Sequence, residues 1–226
     1  KDMKKEYFNV FIIATIGRPS LKEAINSCLN QKRETLVVVV FDDEEITRIV
    51  DNPNVVYLKT AKHVWGEGAR QHGVDWCKDN KIKSTYISYL DDDDIILPSY
   101  TDSLEEFLSY DIVVHSMKIF ENGRIVPEQG YYNYPNLSEN KKIQISTRPL
   151  IKNYVGLSFS LKWDKAKNIN WYSNGAEKDF NYIDTACKSG LTHIKTGKVS
   201  YHQLTRGLTG SHTNVKYGRY DSNLKK

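Results

Sequence analysis

Residues 86–94 read Tyr-Ile-Ser-Tyr-Leu-Asp-Asp-Asp-Asp, an apolar run that ends in four adjacent carboxylates, with Pro98 four residues beyond. The run is typical of a sheet strand, so Asp91 to Asp94 are predicted at the carboxyl end of that strand, where open α/β sheets bind their ligands. Adjacent carboxylates repel one another, and a folded protein tolerates them in a solvated turn or around a cation such as Mg²⁺ or Mn²⁺. A solvated turn is the commoner case for a bare acidic run, so the surrounding sequence has to decide.

Strand-like and helix-like segments alternate on both sides of this stretch. Ser20 with Glu23 and Ser99 with Asp102 form capping-box patterns, which are typical of helix starts. Strands are predicted over residues 10–14, 36–41, 55–58, 86–90, 111–120 and 198–201, and helices over 20–30, 69–78, 104–108 and 179–188, with a polar loop around Gly66 and Gly68 before the second helix. The alternation predicts an α/β fold with a mostly parallel, Rossmann-like sheet and helices on both faces. Residues 121–142 break it and are predicted to form an irregular insertion.

Composition predicts a globular protein without a membrane span. The chain has 226 residues, of which 39% are hydrophobic, enough to bury a core in one domain. Its longest plainly apolar run, residues 36–41, is far shorter than a membrane span. Cys28, Cys77 and Cys187 are widely spaced, lack metal-ligand spacing and are typical of reduced thiols. Because residues 1–5 also lack the apolar stretch of a signal peptide, a cytoplasmic location is expected.

Charge is divided unevenly along the chain. Residues 1–140 carry 16 lysines and arginines against 23 aspartates and glutamates, a balance of −7. Residues 141–226 carry 16 against 5, a balance of +11. An acidic first part suits a metal site, and a basic last part indicates an anionic partner such as nucleotide phosphates, an anionic polymer or a membrane surface. A solvated basic face is an equally good explanation of the second imbalance.

Polar side chains follow three of the predicted strands at the point where each strand ends. Thr15 and Arg18 follow the first strand, Asp42 and Asp43 the second, and the aspartate run the fourth. Carboxylates at one sheet edge can accept hydrogen bonds from a nucleobase and from ribose hydroxyls, and a divalent cation on two of the aspartates can neutralise a diphosphate. Each feature alone is ordinary turn chemistry, so their joint placement carries the prediction of a nucleotide site.

The order of these motifs resembles that of family 2 glycosyltransferases, which have the GT-A fold. Residues 14–19, Ala-Thr-Ile-Gly-Arg-Pro, look like the family's opening strand and turn, and the pair Asp42-Asp43 stands where the family has Val-Asp-Asp-Gly-Ser. Residues 68–73, Gly-Ala-Arg-Gln-His-Gly, are similar to its Ala-Arg-Asn-x-Gly segment. Residues 90–98 fit its Leu-Asp-Ala-Asp-Asp-x-x-x-Pro signature, which is the most specific match.

The resemblance implies transfer of a sugar from a nucleoside diphosphate sugar, with a UDP-sugar as the expected donor. It also implies a Mn²⁺ or Mg²⁺ ion held through Asp91 and Asp93, and direct displacement with inversion at the anomeric carbon. Further donor contacts are expected from side chains near the same sheet edge: Thr15, Arg18, Asp42, Asp43, Arg70 and Asp92. Within a single compact domain, residues 1–120 are expected to bind the donor and residues 121–226 to form the acceptor side.

Direct displacement needs a general base within hydrogen-bond reach of the acceptor hydroxyl. The family carries this base in a Glu-Asp pair that opens a helix a fixed distance before a glycine, and counting back eleven residues from Gly190 gives Asp179. A lysine replaces the expected Glu, so Glu177 is a competing candidate, and both carboxylates would also suit a helix N-terminus for structural reasons. A late histidine often completes the metal site in such enzymes, which makes His202 and His212 candidate ligands, although a single histidine is more often structural.

Two other classes of protein would use the same features. A sugar-nucleotide nucleotidyltransferase shares the topology but normally has a glycine-rich, basic loop after the first strand, and residues 15–19 contain one glycine and one arginine. A non-catalytic nucleotide- or glycan-binding module would bind the donor without turnover. The acceptor is less well defined: the basic last part is compatible with modified nucleic acid or a phosphate-rich glycan, and an ordinary glycan or lipid-linked acceptor remains open.

Overall fold

Ten strands join in one sheet and five helices pack around it in the residues that the computed structural model describes, which are 5–121, 124–125, 143–145, 156–171 and 178–205. The strands are β1 (Glu6–Thr15), β2 (Thr35–Phe41), β3 (Val55–Lys59), β4 (Lys83–Asp91), β5 (Ile95–Ile96), β6 (Ile112–Glu121), β7 (Arg124–Ile125), β8 (Ile143–Ile145), β9 (Phe159–Lys162) and β10 (His193–Thr205). The helices are α1 (Leu21–Leu29), α2 (Trp65–Asp79), α3 (Tyr100–Glu106), α4 (Trp163–Ala166) and α5 (Lys178–Lys188). Among these described helices, none has the length and apolar character needed to cross a membrane.

The sheet has the strand order β3-β2-β1-β4-β9-β6-β10-β5, with β7 beside β6 and β8 beside β10. Its long ladders are parallel: β3–β2, β2–β1, β1–β4 and β6–β10. The antiparallel ladders are short, and the central one is formed by β9, which lies between β4 and β6. The mostly parallel sheet is as predicted. The sequence did not predict β9, because its four residues include a serine that is buried in the sheet rather than exposed.

Helices cover both faces of the sheet, and β1 shows why. Phe11 and Ile12 are adjacent, point to opposite faces and are both fully buried. The ring of Tyr100 in α3 lies 5.5 Å from that of Phe11. On the other face α2 approaches so closely that a Cβ on Gly73 would lie 2.8 Å from Cγ2 of Ile12. The glycine therefore sets how near α2 can come to the sheet.

Helix α2 begins earlier than the sequence predicts. The prediction of a polar loop up to about Ala69 was wrong, because the helix starts at Trp65 and contains Gly66 and Gly68. Gly68 has a packing role, because a Cβ there would lie 2.6 Å from Cβ of Val64, whereas one on Gly66 would make an ordinary contact of 3.4 Å with a guanidinium nitrogen of Arg70. Gly68 therefore marks a close contact here rather than a loop.

The predicted helix starts are placed correctly, but the two serines do not form the capping bonds predicted for them. Helices α1 and α3 follow Ser20 and Ser99, yet neither serine makes a side-chain capping hydrogen bond. Backbone bonds close the first turn of α1 instead, with the amide of Glu23 donating to the carbonyl of Ser20. The serine half of the capping-box interpretation was therefore wrong, although the pattern located both helices.

A buried polar network joins the two halves of the sheet. Ser88 on β4 lies 2.6 Å, oxygen to oxygen, from Ser160 on β9, and Ser160 lies 2.9 Å from the hydroxyl of Tyr100. The side-chain amide of Asn9 donates to Ser88 at 3.0 Å. The imidazole of His115 stacks on Tyr100 with ring centres 4.1 Å apart. Strands from before and after residue 121 share this network, while the single compact domain and its division at residue 120 stay predictions.

Candidate active site

The carboxyl ends of the central parallel strands lie level with one another. Thr15 at the end of β1 pairs with Phe41 at the end of β2, and Ala14 pairs with Asp91 at the end of β4. The side chains that follow these strands therefore meet at one sheet edge, as the sequence predicted. This edge positions the aspartates of the site described below.

The aspartate run forms a group of converging carboxylates at the end of β4. Asp91, Asp93 and Asp94 each place an oxygen within 4.8 Å of the other two, the one such acidic or histidine group in the described ranges. Burial and the nearby charge of Asp91 raise the pKa of Asp93 to about 6, and burial with both neighbours raises that of Asp94 well above its usual value. An all-oxygen, electrostatically crowded group of this kind fits Mg²⁺ or Mn²⁺, because a cation relieves the repulsion.

Asp92 points the other way, into the protein. Its carboxylate is buried and accepts hydrogen bonds from the hydroxyl of Thr15 at 2.6 Å and from Arg18 at 2.7 Å. Burial raises the pKa of Asp92, and the two donors oppose that rise. Arg18 also pairs with Asp93 at 3.0 Å. Hydrogen bonds thus join three predicted donor-binding residues, Thr15, Arg18 and Asp92, next to the carboxylate group. Their contact with a donor stays a prediction.

Asp94 is the site residue to which the sequence assigned no role. Both of its oxygens accept hydrogen bonds from β10: Oδ2 from the hydroxyl of Tyr201 at 2.7 Å and Oδ1 from the amide of Leu204 at 2.8 Å. These partners lie more than a hundred residues away in sequence, so no local pattern indicates them. The only available signal was that Asp94 belongs to the same acidic run.

Arg70 connects the carboxylate group to the predicted base. From the first turns of α2 its guanidinium donates to Oδ1 of Asp91 at 2.5 Å and to Oδ1 of Asp179 at 3.0 Å, and it lies 5.1 Å from the ring of Trp171. Burial alone would lower the pKa of Arg70, but the charges of Asp179 and Asp91 outweigh that and raise it. The structure therefore brings Asp179, at the start of α5, to the same edge as the aspartate run.

Aromatic rings pack together beside the guanidinium of Arg70. The ring of Trp171 stacks flat on that of Tyr182 in α5, with centres 4.0 Å apart and planes 2° from parallel. The hydroxyl of Tyr182 lies 3.0 Å from that of Tyr89 on β4. The amide of Trp171 donates to Gln71, the neighbour of Arg70. Contacts from β4, α2 and α5 thus hold Asp179 and Arg70 in fixed positions relative to each other.

The two aspartates after β2 differ in environment. Asp42 is buried, and it accepts a hydrogen bond from the amide of Val64 at 2.8 Å and pairs with Nδ1 of His63 at 2.7 Å. It thereby holds the turn that precedes α2. Asp43 is exposed and has a φ of 61°, in the left-handed region, while its amide donates to Thr60. Asp42 and Asp43 both lie at the predicted edge, and their role in binding the nucleoside stays a prediction. No sequence pattern had indicated His63.

The predicted histidine ligands are not part of the carboxylate group that the structure describes. The ring of His202 packs 4.8 Å from that of Phe120, and adjacent residues of a strand point to opposite faces, so His202 faces away from the side on which Tyr201 meets Asp94. Burial and the charge of Lys118 lower the pKa of His202. His212 and Glu177 lie outside the described residues. All three stay predictions.

A comparison with protein families identifies the family of the chain. The sequence profile of glycosyl transferase family 2 matches residues 10–164, more than half of the chain. The chain belongs to glycosyltransferase family 2. The match includes Arg70 and the aspartate run, and it ends before α5 and β10, which carry Asp179 and Tyr201. No match was found among curated proteins.

Solved structures share the architecture at low sequence identity. They include residues 1–349 of S. aureus TarS, with a TM-score of 0.65, 15% identity and coverage of 87% of this chain and 60% of that chain. The same part of TarS in complex with UDP-GlcNAc has a TM-score of 0.64 and 17% identity, with coverage of 88% of this chain and 59% of that chain. GalNAc-T7 with UDP, GalNAc and Mn²⁺ has a TM-score of 0.64 and 13% identity, with coverage of 90% of this chain and 45% of that chain. This chain thus spans 60% or less of these proteins, and the likeness shows that its fold is of the GT-A type.

Proposed function

We propose that this protein is a metal-dependent, inverting glycosyltransferase that moves a sugar from a nucleoside diphosphate sugar to a hydroxyl group. The observation that carries the proposal is the arrangement of Asp91, Arg70 and Asp179, in which one guanidinium contacts both carboxylates. This arrangement supports a cation site and a base that lie close together at one sheet edge. Family membership favours sugar transfer over the nucleotidyl transfer that the topology alone would allow.

The donor would bind along the carboxyl edge of the sheet. Asp91 and Asp93, with Asp94 beside them, would hold Mn²⁺ or Mg²⁺, and the ion would neutralise the charge of the departing diphosphate. The donor side would be completed by side chains of the same edge: Thr15, Arg18, Asp42, Asp43, Arg70 and Asp92. Neighbours bound to UDP-GlcNAc, and to UDP with GalNAc and Mn²⁺, support a UDP-sugar as donor.

The chemical step would be a single displacement. The acceptor oxygen attacks the anomeric carbon, the bond to the diphosphate oxygen breaks with its electron pair, and the acceptor proton passes to Asp179. Asp179 suits this role because it is half-buried at the start of α5 and its carboxylate is oriented by Arg70. Glu177 is the competing base, and the two are separated by mutation as described in the Discussion.

The acceptor would carry a hydroxyl group on an anionic polymer, such as modified nucleic acid or a phosphate-rich glycan. The support is the balance of +11 over residues 141–226, against −7 over residues 1–140. Binding to a polyanion releases counterions, so log affinity should fall with log salt by about 0.7–0.9 per phosphate contacted. Reversing Lys216 and Arg219 should flatten that slope, while reversing Lys22 in the acidic part serves as the matched control. Salt-independent use of an uncharged acceptor would contradict the polyanion.

A panel of nucleoside diphosphate sugars tests the function without knowledge of the acceptor. The protein is incubated with each donor and Mn²⁺, and release of the nucleoside diphosphate by slow hydrolysis is measured. Release from one class of donor, with a UDP-sugar expected first, supports the proposal. Tight binding of a donor without release, in the presence and absence of candidate acceptors, would instead favour a non-catalytic binding module.

A further inference from the structure

Arg70 already binds one of the carboxylates that the cation would need. Its Nη2 donates to Oδ1 of Asp91, one of the three carboxylates that converge at the end of β4. Its Nη1 donates to Oδ1 of Asp179, and its side chain is almost wholly buried. A guanidinium and a divalent cation that share one carboxylate weaken each other's binding, because both are positive and would lie within a few ångströms of each other.

We propose that Arg70 is a positioning residue that competes with the divalent cation for Asp91 and thereby couples the cation site to Asp179. This inference rests on the proposed function, since it takes the converging carboxylates as the cation site. Without the cation, Arg70 divides its hydrogen bonds between Asp91 and Asp179. A cation at Asp91 removes one of those two anionic partners, and Asp179 then remains the carboxylate that holds the guanidinium.

The surroundings of Arg70 suit such a role better than a purely structural one. Removing the guanidinium leaves Asp91 and Asp179 without a shared counter-ion. The rings of Trp171 and Tyr182, by contrast, are held by their own stacking and by the hydrogen bond from the amide of Trp171 to Gln71. Arg18 cannot replace it, because its charge is already committed to Asp92 and Asp93. The metal affinity of the site is therefore expected to depend on Arg70, although Arg70 cannot itself bind a metal.

The test measures Mn²⁺ affinity without donor, from the loss of the free Mn²⁺ signal in electron paramagnetic resonance. Four proteins form a double-mutant cycle: wild type, Arg70→Gln, Asp179→Asn and the double variant. Arg70→Gln should bind Mn²⁺ about tenfold more tightly, as expected when a charged hydrogen bond that competes for the site is removed. Asp179→Asn should weaken binding by about threefold, because Arg70 then pairs more fully with Asp91.

If the coupling acts through Arg70, the change in log Kd for Mn²⁺ caused by Asp179→Asn should be less than half as large in the Arg70→Gln background as in the wild-type background. Arg33→Gln is the matched control: Arg33 pairs with Glu105 and lies over Phe8 near the other end of β1, so its loss should leave Mn²⁺ affinity unchanged. If circular dichroism shows that Arg70→Gln does not fold, Arg70→Lys replaces it in the cycle, because one ammonium group keeps the charge without the two-sided contact.

Three outcomes distinguish the claims. Tighter binding by Arg70→Gln together with the reduced Asp179→Asn effect supports the inference, and misfolding could not produce tighter binding. Unchanged or weaker binding by Arg70→Gln, or an Asp179→Asn effect of equal size in both backgrounds, overturns it while leaving the proposed function intact. Failure of the wild-type protein to bind Mn²⁺ at all contradicts the metal site of the proposed function, and the inference falls with it.

Discussion

Tyr201 donates the hydrogen of its hydroxyl to the buried carboxylate of Asp94 at 2.7 Å, joining two residues that are 107 positions apart. The bond ties β10 to the end of β4, where the carboxylates converge. Burial and the charges of the neighbouring aspartates raise the pKa of Asp94, and the bond from Tyr201 opposes that rise. The late strand of the chain is therefore part of the support for the early acidic site.

Replacing Tyr201 by Phe should destabilise the protein by about 1–3 kcal/mol, the cost of leaving a buried hydrogen-bonding group unsatisfied. Urea unfolding at neutral pH without added metal measures this. Tyr7→Phe near the start of β1 provides the comparison and should change stability by no more than about 0.5 kcal/mol. Equal stability of Tyr201→Phe and wild type would show that the bond contributes nothing.

Gly73→Ala should destabilise the protein by about 1–3 kcal/mol through overpacking. The added Cβ would lie 2.8 Å from Cγ2 of Ile12 and 3.2 Å from Cγ2 of Val40, so α2 would have to move away from the sheet. Gly197→Ala is the control, since a Cβ there meets nothing within 4 Å. Thermal unfolding of both variants decides, and a Gly73→Ala protein as stable as the control would mean that the contact is not tight.

His115 should make the protein less stable in acid. Burial lowers its pKa to about 3 in the folded protein, against about 6.5 in an unfolded chain. Because the folded value is the lower one, stability is complete above about pH 6.5 and is lost as the pH falls from there towards 3, by about 1.4 kcal/mol per pH unit. His115→Phe keeps a ring against Tyr100 and removes the titration.

The measurement is the loss of unfolding free energy between pH 7.5 and pH 5, determined separately for wild type and His115→Phe. The loss should be smaller in the variant by about 2 kcal/mol, which is the proton uptake of one unfolded histidine over that interval. Equal losses in the two proteins would show that His115 is not buried as a neutral group.

Much of the fold could be predicted because its signals are local. The valine-rich run of β2 and the apolar run of β1 are buried on both faces, and such runs are typical of strands in parallel sheets. The position of the aspartate run followed from the strand before it. By contrast, β9 escaped prediction because Ser160 is buried, and its hydroxyl is satisfied by Ser88 and Tyr100, which no local pattern indicates.

The sequence singled out candidate site residues but not the connections between them. The motif order pointed to Asp91, Asp179 and Arg70, whose roles stay predictions, and the bridge between them depends on how α2 and α5 pack against β4, a relationship over 109 positions for Arg70 and Asp179. The inward turn of Asp92 towards Thr15 also had no sequence signal, because four identical residues in a row give no indication of which one faces the core. Tertiary packing made those choices.

Asp179→Asn should lower the turnover number by about 10²–10⁴-fold, the usual contribution of a general base. At saturating Mn²⁺ the affinity for donor should change little, since Asp179 acts on the acceptor proton. Asp184→Asn is the matched control on the same helix, where Asp184 pairs with Lys188. Glu177→Gln should have a milder effect, and a reversal of the two results would assign the base to Glu177.

The most direct test of the central claim compares nucleoside diphosphate release from the preferred donor by wild type and Asp93→Asn, each with Mn²⁺ and with excess chelator. We expect wild-type release to require the metal and Asp93→Asn to be slower by about 10²-fold or more. The apo variant should melt at the wild-type temperature or above, because crowded carboxylates repel one another. Asp164→Asn, at a carboxylate beside Lys165 on α4, should behave as wild type. Full activity of Asp93→Asn, or undiminished wild-type activity in chelator, would contradict a metal-dependent glycosyltransferase.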